Sequence, residues 1–290
     1  MNTYLDCIPC LIRQALEAVR LVIDDPAQHE RVLRDVLQWT CSMDMNPSPP
    51  VMGQRIHRRI RKVTGIDDPY REIKDVHNRM ALGLFPELKA EVTASGNPLI
   101  AAVRLAIAGN IIDMGVNGHV PESKIRESIT QALTEPFFGE RNGFADAVSG
   151  VDRILYLTDN AGEIVFDRLL IEELSPERVT VAVRGGPVLN DAVRSDASAA
   201  GLADMVEIID NGSDSPGTLL NDCSPEFIKR FEAADIVIAK GQGNYETLSE
   251  VPKKILFLFK AKCPVIAEHA RVPLGTHVAT RSGAFNGDQR

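Results

Sequence analysis

Nowhere in this chain do apolar residues run for the roughly 18 positions a membrane-spanning helix needs, which argues against an integral membrane role. Met1 to Cys10 lacks the basic and then apolar regions of a secretory signal, so a cytoplasmic location is the expectation. Cysteine is scarce and odd in number: Cys7, Cys10, Cys41, Cys223 and Cys263, five in all, do not read as a disulfide framework without an export signal. Basic residues are outnumbered, 32 against 40 acidic ones, giving a net charge of −8. With no basic stripe and no aromatics interleaved in one, nucleic acid is not an expected partner. The chain has no G-x-S-x-G elbow, no H-E-x-x-H pair, and neither the P-loop nor the dinucleotide spacing of glycines. His29, His57, His77, His119, His269 and His277 show no paired metal spacing. Internal repeats and low-complexity segments are absent.

What is present fits a water-soluble globular protein. Apolar residues make up 44% and charged residues 25%, and 290 residues are long for one compact core, so two lobes are expected. Up to about Gly150 the pattern is helical. Leu11, Ala15, Ala18 and Val22 repeat at three- and four-residue steps, and Val32, Val36 and Leu37 continue in a second helix. Further helices are expected over Val51–Val63, Asp68–Leu82, Pro86–Ala94, Pro98–Gly109 and Pro121–Leu133. Pro98–Gly109 is apolar nearly all round, as a buried helix is. Past residue 150, short β-branched runs alternate with helices. Arg153–Thr158, Arg178–Val183, Val206–Ile209, Ile236–Ala239 and Ile255–Phe259 read as strands, with Val265–Ala267 as a short sixth. Helices fit Glu163–Leu174, Val188–Ala200, Pro216–Asn221 and Pro225–Ala233; Arg281 to Arg290 reads as a fraying end. This grammar predicts an α/β protein: a three-layer α/β/α, mostly parallel sheet over residues 151–290, with a helical N-terminal domain over residues 1–150.

Parallel strands place their C-terminal ends on one edge, where ligands bind. Those ends here are polar: Thr158-Asp159-Asn160-Ala161-Gly162-Glu163, then Arg184-Gly185-Gly186-Pro187 with Asn190-Asp191 beyond, Asp210-Asn211-Gly212-Ser213, Lys240-Gly241-Gln242-Gly243-Asn244, and Lys260-Ala261-Lys262. Asp159 and Asn160 can converge on one ion at a strand-to-helix turn, with Asp191 as a third ligand. Oxygen donors suit a divalent cation such as Mn²⁺, Mg²⁺, Ni²⁺ or Co²⁺. The plainer reading of Asp159-Asn160 is a helix cap. The Lys240–Asn244 loop, with Gly241 and Gly243, reads as a phosphate cradle or simply a turn. Lys260 and Lys262 share a face if the fifth strand continues, so at least one reaches the site as a cation for phosphate. Cys7-Ile8-Pro9-Cys10 opens a helix; packing or redox sensing is the expectation, since a zinc site needs two more ligands that no spacing selects.

At these residues the sequence resembles the metal-dependent damage-control phosphatases, the ARMT-like family. The resemblance rests on Cys7-x-x-Cys10, Asp68-Pro69-Tyr70 with Lys74 and Asn78, Ala108-Gly109-Asn110-Ile111-Ile112-Asp113, Asp159-Asn160-Ala161-Gly162-Glu163, Gly186-Pro187-x-x-Asn190-Asp191-Ala192, Lys240-Gly241-Gln242-Gly243-Asn244-Tyr245-Glu246 and Phe259-Lys260-Ala261-Lys262-Cys263. The early C-x-x-C is similar to the prokaryotic branch. The resemblance implies a helical region on a three-layer domain and cation-dependent removal of phosphate from a small phosphorylated metabolite. It assigns Asp159, Asn160 and Asp191 to the metal, and the Lys240–Tyr245 loop with a following lysine to the phosphate. Lys260 aligns best by its Lys-Ala pair; the Arg-Thr-x-Lys form of other branches is absent.

The expected catalytic set is therefore Asp159, Asp191 and Lys260. Asn160, Glu163, Arg184, Lys240, Gly241, Gly243, Asn244 and Lys262 are expected at the substrate. Asp159 or Asp191 would take a proton from the attacking water, and Glu163 would orient a water from the helix start. Three rivals are weaker on the residues. A haloacid-dehalogenase-type phosphatase needs Asp-x-Asp, where this chain has Asp159-Asn160-Ala161. An S-adenosylmethionine-dependent carboxyl methyltransferase wants a glycine-rich first turn and an acid ending the second strand, where Arg184 stands. A non-catalytic metal or nucleotide sensor would bind without turnover. The oligomeric state is not readable.

Overall fold

The computed structural model of the chain describes residues 1–111, 122–135, 137–139 and 143–283. Pro121, the Ile112-Asp113 pair and residues 284–290, on which expectations were placed above, lie outside the described residues.

Helices α1 (Cys7–Val22), α2 (Pro26–Cys41) and α3 (Pro49–Thr64) pack through Leu11, Ala15, Val19, Val32, Val36, Ile56 and Ile60. Each residue recurs on one helical stripe, so the period seen in the sequence is the buried face. Pro26 starts α2 behind Asp25, whose carboxylate accepts from the Ala27 N–H, and Gly65 ends α3 in the left-handed region. Helix α4 (Arg71–Ala94) is one 24-residue helix with Pro86 inside it. Two helices were expected here. Ala81, Leu84, Leu88 and Val92 form one buried stripe across the proline, and that burial outweighs a lost backbone hydrogen bond and ring clash worth about 3 kcal/mol. Helix α5 (Pro98–Ala108), capped by Asn97, is buried as expected and runs into a 3₁₀ turn over Gly109–Ile111. Helices α6 (Glu122–Thr134) and α7 (Phe144–Val148) follow.

The rest alternates as β1 (Ile154–Leu157), α8 (Glu163–Glu173), β2 (Val179–Val183), α9 (Arg194–Ala199), β3 (Glu207–Asp210), α10 (Pro225–Ala233), β4 (Ile236–Lys240), α11 (Gly241–Leu248), β5 (Ile255–Lys260), α12 (Pro264–Ala270) and β6 (His277–Arg281). The strands form one sheet in the order β3-β2-β1-β4-β5-β6, parallel except for β6. Alternate residues serve opposite faces. Ile154, Tyr156, Val179, Val181, Ile236, Ile238, Leu256 and Leu258 pack with α4, α5 and α8. Leu155, Leu157, Val237, Ala239, Phe257 and Phe259 pack with α10, α11 and α12. The sheet is thus covered on both sides, the expected α/β architecture with a mostly parallel sheet. The first apolar cluster joins α4 and α5 of the helical half to α8, while α1, α2 and α3 pack in a cluster of their own.

Three local expectations are corrected. Val265–Ala267 is not a strand: Cys263 caps and Pro264 opens helix α12, and the sixth strand is β6, pairing antiparallel with β5 from Lys260↔His277 to Leu256↔Arg281. Of Val188–Ala200 only Arg194–Ala199 is helical, because the segment before it bonds to the turn after β1 instead. Pro216–Asn221 forms no helix; Gly217, at φ 131°, lies so close to the Gly243 backbone that a Cβ there would collide with it.

Candidate active site

The order of the strands reverses between β1 and β4, and the crevice beyond their C-terminal ends is where an open α/β sheet binds ligands. Asp159 and Asn160 leave β1 at this point. The Ala192 N–H donates to the Asp159 carbonyl at 2.8 Å and the Ala161 N–H to the Asn190 carbonyl at 2.8 Å. An isolated bridge pairs Asn160 with Asp191, and another pairs Arg184 with Val193. The loop after β2 therefore folds back and zips onto the turn after β1, which brings Asp191 beside Asp159 and Asn160. On the other side Gly241, at φ 78°, passes so close to Asp159 that a Cβ would overlap its carboxylate. Glycine here supplies both the left-handed backbone and the space.

Charge beneath the site is arranged in two buried layers. Arg184, 2% exposed, donates through Nε to Asp191 Oδ2 at 2.6 Å and lies 3.8 Å from Asp159 Oδ1. Asn244 fixes this guanidinium from behind: its Oδ1 accepts from Arg184 at 3.3 Å and from Thr218 at 2.8 Å, while its amide donates to the Lys240 and Thr158 carbonyls. Below that, the fully buried Lys240 ammonium donates to Glu163 Oε1 at 2.7 Å, Asp167 Oδ1 at 2.5 Å and the Ala106 carbonyl at 2.8 Å. Burial works against the Lys240 charge, but Asp167 and Glu163 outweigh it and leave its pKa raised. Burial likewise pushes the Asp167 carboxyl up to about 6, against the pull of Lys240.

Glu163 links this layer to the surface of the site. Its Oε2 accepts from Asn110 at 2.7 Å and from Asn160 at 3.0 Å, and Asp159 Oδ2 accepts from the same two amides at 3.1 and 2.8 Å. Both asparagine NH₂ groups are thereby turned toward carboxylates, which fixes their amide oxygens on the opposite sides. Asn110 Oδ1 has no hydrogen-bond partner although its residue is 1% exposed.

Above these groups opens a cavity of about 510 Å³. Asn110, Asp159, Asn160 and Asp191 line it together, and α1 and α3 supply a second set of lining residues, including Cys7, Cys10, Arg13, Gln14, Glu17 and Pro50. Gly243 and Lys262 also line it. Of the residues expected at the substrate, Glu163, Arg184, Lys240 and Asn244 are buried beneath the cavity and bonded to one another's partners. Lys240–Asn244 is the end of β4 and the first turn of α11 rather than a loop. Gly243 packs on the Pro216 carbonyl. Lys260 ends β5 opposite His277, half-buried and off the cavity wall; burial and then Lys262 lower its pKa. Asn110 appeared in the sequence only as part of a motif, without a role. Its signal was a Gly-Asn pair closing an apolar helix: at Gly109 a Cβ would sit 2.9 Å from Phe166 Cβ, so glycine lets this turn dock on α8.

Among the described residues no group of three or more His, Cys, Asp and Glu side chains forms a metal site. The donor set at Asp159 is of another kind: two carboxylates joined to amide oxygens, one of them an orphaned buried acceptor. Hard divalent cations take such all-oxygen sets, so the residues fit the expected ion.

A doubly covered, mostly parallel sheet with carboxylates and amides at its switch point defines an α/β enzyme of the kind that handles small ligands at strand ends. The profile of the damage-control phosphatase ARMT1-like domain matches residues 3–278, and the chain belongs to that family. It is 34% identical over 288 residues to a damage-control phosphatase of Pyrococcus horikoshii, covering 97% of this chain and 99% of that one. A damage-control phosphatase of Archaeoglobus fulgidus is 35% identical over 280 residues, 94% of this chain and 96% of its own. An uncharacterized protein of Methanocaldococcus jannaschii is 35% identical over 286 residues, covering 94% and 93%. The crystal structure of a DUF89-family protein from Pyrococcus horikoshii superimposes with a TM-score of 0.88 at 32% identity, over 97% of this chain and 99% of that one.

Proposed function

We propose that this chain is a divalent-metal-dependent phosphatase acting on phosphate esters of small metabolites, with Asp159, Asn160 and Asp191 holding the cation. The observation that carries this reading is the backbone zipper between the turns after β1 and β2, which sets those three side chains together on the lining of a cavity large enough for a small phosphorylated metabolite. Membership of the damage-control phosphatase family supports the reaction class. Mn²⁺, Mg²⁺, Ni²⁺ and Co²⁺ all suit oxygen donors, and any of them supplies Lewis-acid charge to a phosphoryl oxygen when bound.

The remaining roles follow from position. Arg184 holds Asp191 by its Nε and keeps that carboxylate aimed across the turn. Asp159 or Asp191 accepts the proton of the attacking water at a carboxylate oxygen. Lys262, on the cavity wall, offers a cation to the transferred phosphoryl group, and Lys260 is assigned the lesser part of supporting it at the strand end. Glu163 orients the two asparagine amides rather than touching substrate. Lys240 and Asn244 act as scaffold, and Gly241 and Gly243 serve close packing around Asp159 and Pro216. The sheet edge, with the Gly109–Ile111 turn docked against it, carries the phosphate chemistry, and helices α1 and α3 shape the leaving-group side of the cavity.

The test is a screen of phosphate esters against divalent cations, with Asp191→Ala run alongside. Metal-dependent release of phosphate that EDTA abolishes, and that falls by about 1,000-fold or more in Asp191→Ala, is expected. Full metal-dependent turnover by Asp191→Ala would sink the scheme.

A further inference from the structure

We propose that Asn110 supplies a further oxygen ligand to the cation, an inference that rests on the metal site proposed above. Asn110 Nδ2 donates to Asp159 Oδ2 at 3.1 Å and to Glu163 Oε2 at 2.7 Å, and Asn160 Nδ2 donates to the same two oxygens at 2.8 and 3.0 Å. The two amides are thus arranged alike about one pair of carboxylates. Turning either amide over would set its oxygen against carboxylate oxygens, so both carbonyl groups face away from that pair. If Asn160 presents its oxygen to the ion, the same orientation presents that of Asn110.

The second observation is that Asn110 Oδ1 is buried and has no hydrogen-bond partner, in a residue that lines the cavity beside Asp159. A buried acceptor left unsatisfied is costly in a folded protein and calls for a ligand to complete it. The chemistry favours a cation over a donor from the metabolite. Hard divalent ions take about six to eight oxygens when they are Ca²⁺-like and six when they are Mg²⁺-like, so two carboxylates and one amide leave room for another donor. A neutral amide adds coordination without adding negative charge to a buried site. The position is also held by packing. Gly109 seats the turn on Phe166, and the turn follows directly from the buried helix α5.

A residue that only steadies Asp159 would also weaken metal binding when removed, so the test must read which atom touches the ion. Asn110→Ala and Asn110→Cys, in the full chain stripped with EDTA, are titrated with Mn²⁺ and with Cd²⁺ by calorimetry, beside the parent protein and Asp159→Ala. Circular dichroism melts confirm that each is folded, and Asn110→Ser replaces Asn110→Ala if the alanine variant does not fold. The expected results are Mn²⁺ affinity weaker by about tenfold or more in Asn110→Ala, and a Cd²⁺-to-Mn²⁺ affinity ratio higher by about tenfold in Asn110→Cys than in Asn110→Ala, because a thiolate placed in the coordination shell selects the softer ion. All four proteins are made in a Cys7→Ser, Cys10→Ser, Cys263→Ser background, so that no other thiol on the cavity wall competes for Cd²⁺. Mn²⁺ binding by Asn110→Ala equal to that of the parent overturns the proposal, as does an unchanged ratio in Asn110→Cys. If parent and Asp159→Ala bind Mn²⁺ alike, the metal site itself fails, and this inference with it.

Discussion

The two sets of residues that line the cavity are built in opposite ways. At the sheet edge the polar side chains hold one another: Asp159 is held by Asn110 and Asn160, Asp191 by Arg184, Arg184 by Asn244, and Glu163 by Lys240. At the α1 wall, Arg13, Gln14 and Glu17 line the same space and make no side-chain hydrogen bond or ion pair among the described residues. Rigid placement within a fraction of an ångström serves a reaction whose geometry is always the same. A wall whose side chains are not locked into a network can adapt to, or be retuned for, different leaving groups at small cost to stability. In the proposed scheme chemistry and selectivity are thereby separated along one cavity.

The comparison breaks most sharply at Asp159. Asp159→Ala should lower kcat/KM by about 1,000-fold or more and abolish Mn²⁺ binding in calorimetry; a variant that still bound Mn²⁺ tightly would place the ion elsewhere. Next comes the lowest layer. Lys240→Met leaves Glu163 and Asp167 buried without their cation, and urea denaturation should show a loss of about 3–5 kcal/mol. An unchanged midpoint would mean that this network is not the foundation of the site. Gly241→Ala should cost about 1–3 kcal/mol in stability from its left-handed backbone and about 100-fold in kcat, because the new methyl group displaces the Asp159 carboxylate. At the α1 wall, Arg13→Ala should move KM by up to about tenfold on the preferred ester, with kcat unchanged and stability within about 0.5 kcal/mol. An equal drop in kcat and kcat/KM would show that the wall takes part in the chemistry.

The smallest effect is one of pH. Burial holds the Glu246 carboxyl up to about 7, against the pull of the N-terminal ammonium. A carboxyl raised above its unfolded value of 4.5 contributes stability that is fully present below that value and is lost as pH rises through about 7. Glu246→Gln keeps the neutral shape at every pH, so its melting temperature should exceed that of the parent by a few degrees more at pH 8 than at pH 5, about the shift expected from 1 kcal/mol or so. The same difference at both pH values would contradict a proton held by Glu246.

Several parts of this architecture were legible in the chain because they depend on local patterns. Periods of three and four gave α1 to α3, and β-branched runs bounded by turns gave β1 to β5. The placement of Asp159, Asn160 and Asp191 on one sheet edge followed from parallel strands. What was missed depended on partners far away in sequence. Pro86 does not end α4, since a buried stripe crosses it. Val188–Val193 gives up a helical pattern for backbone bonds to the turn after β1. Lys240 and Glu163 have the composition of anion and metal contacts, and only three-dimensional proximity shows that they neutralise each other.

The sequence by itself determined the fold class, the family and the end of the sheet at which the chemistry sits, because hydrophobic period and strand-end polarity are local properties of neighbouring residues. Which polar groups face the cavity and which lie beneath it was decided only in three dimensions. A buried polar side chain is directed by the nearest partner that can satisfy it, and for Lys240, Arg184 and Asn110 those partners come from segments separated by between 7 and 77 positions in the chain.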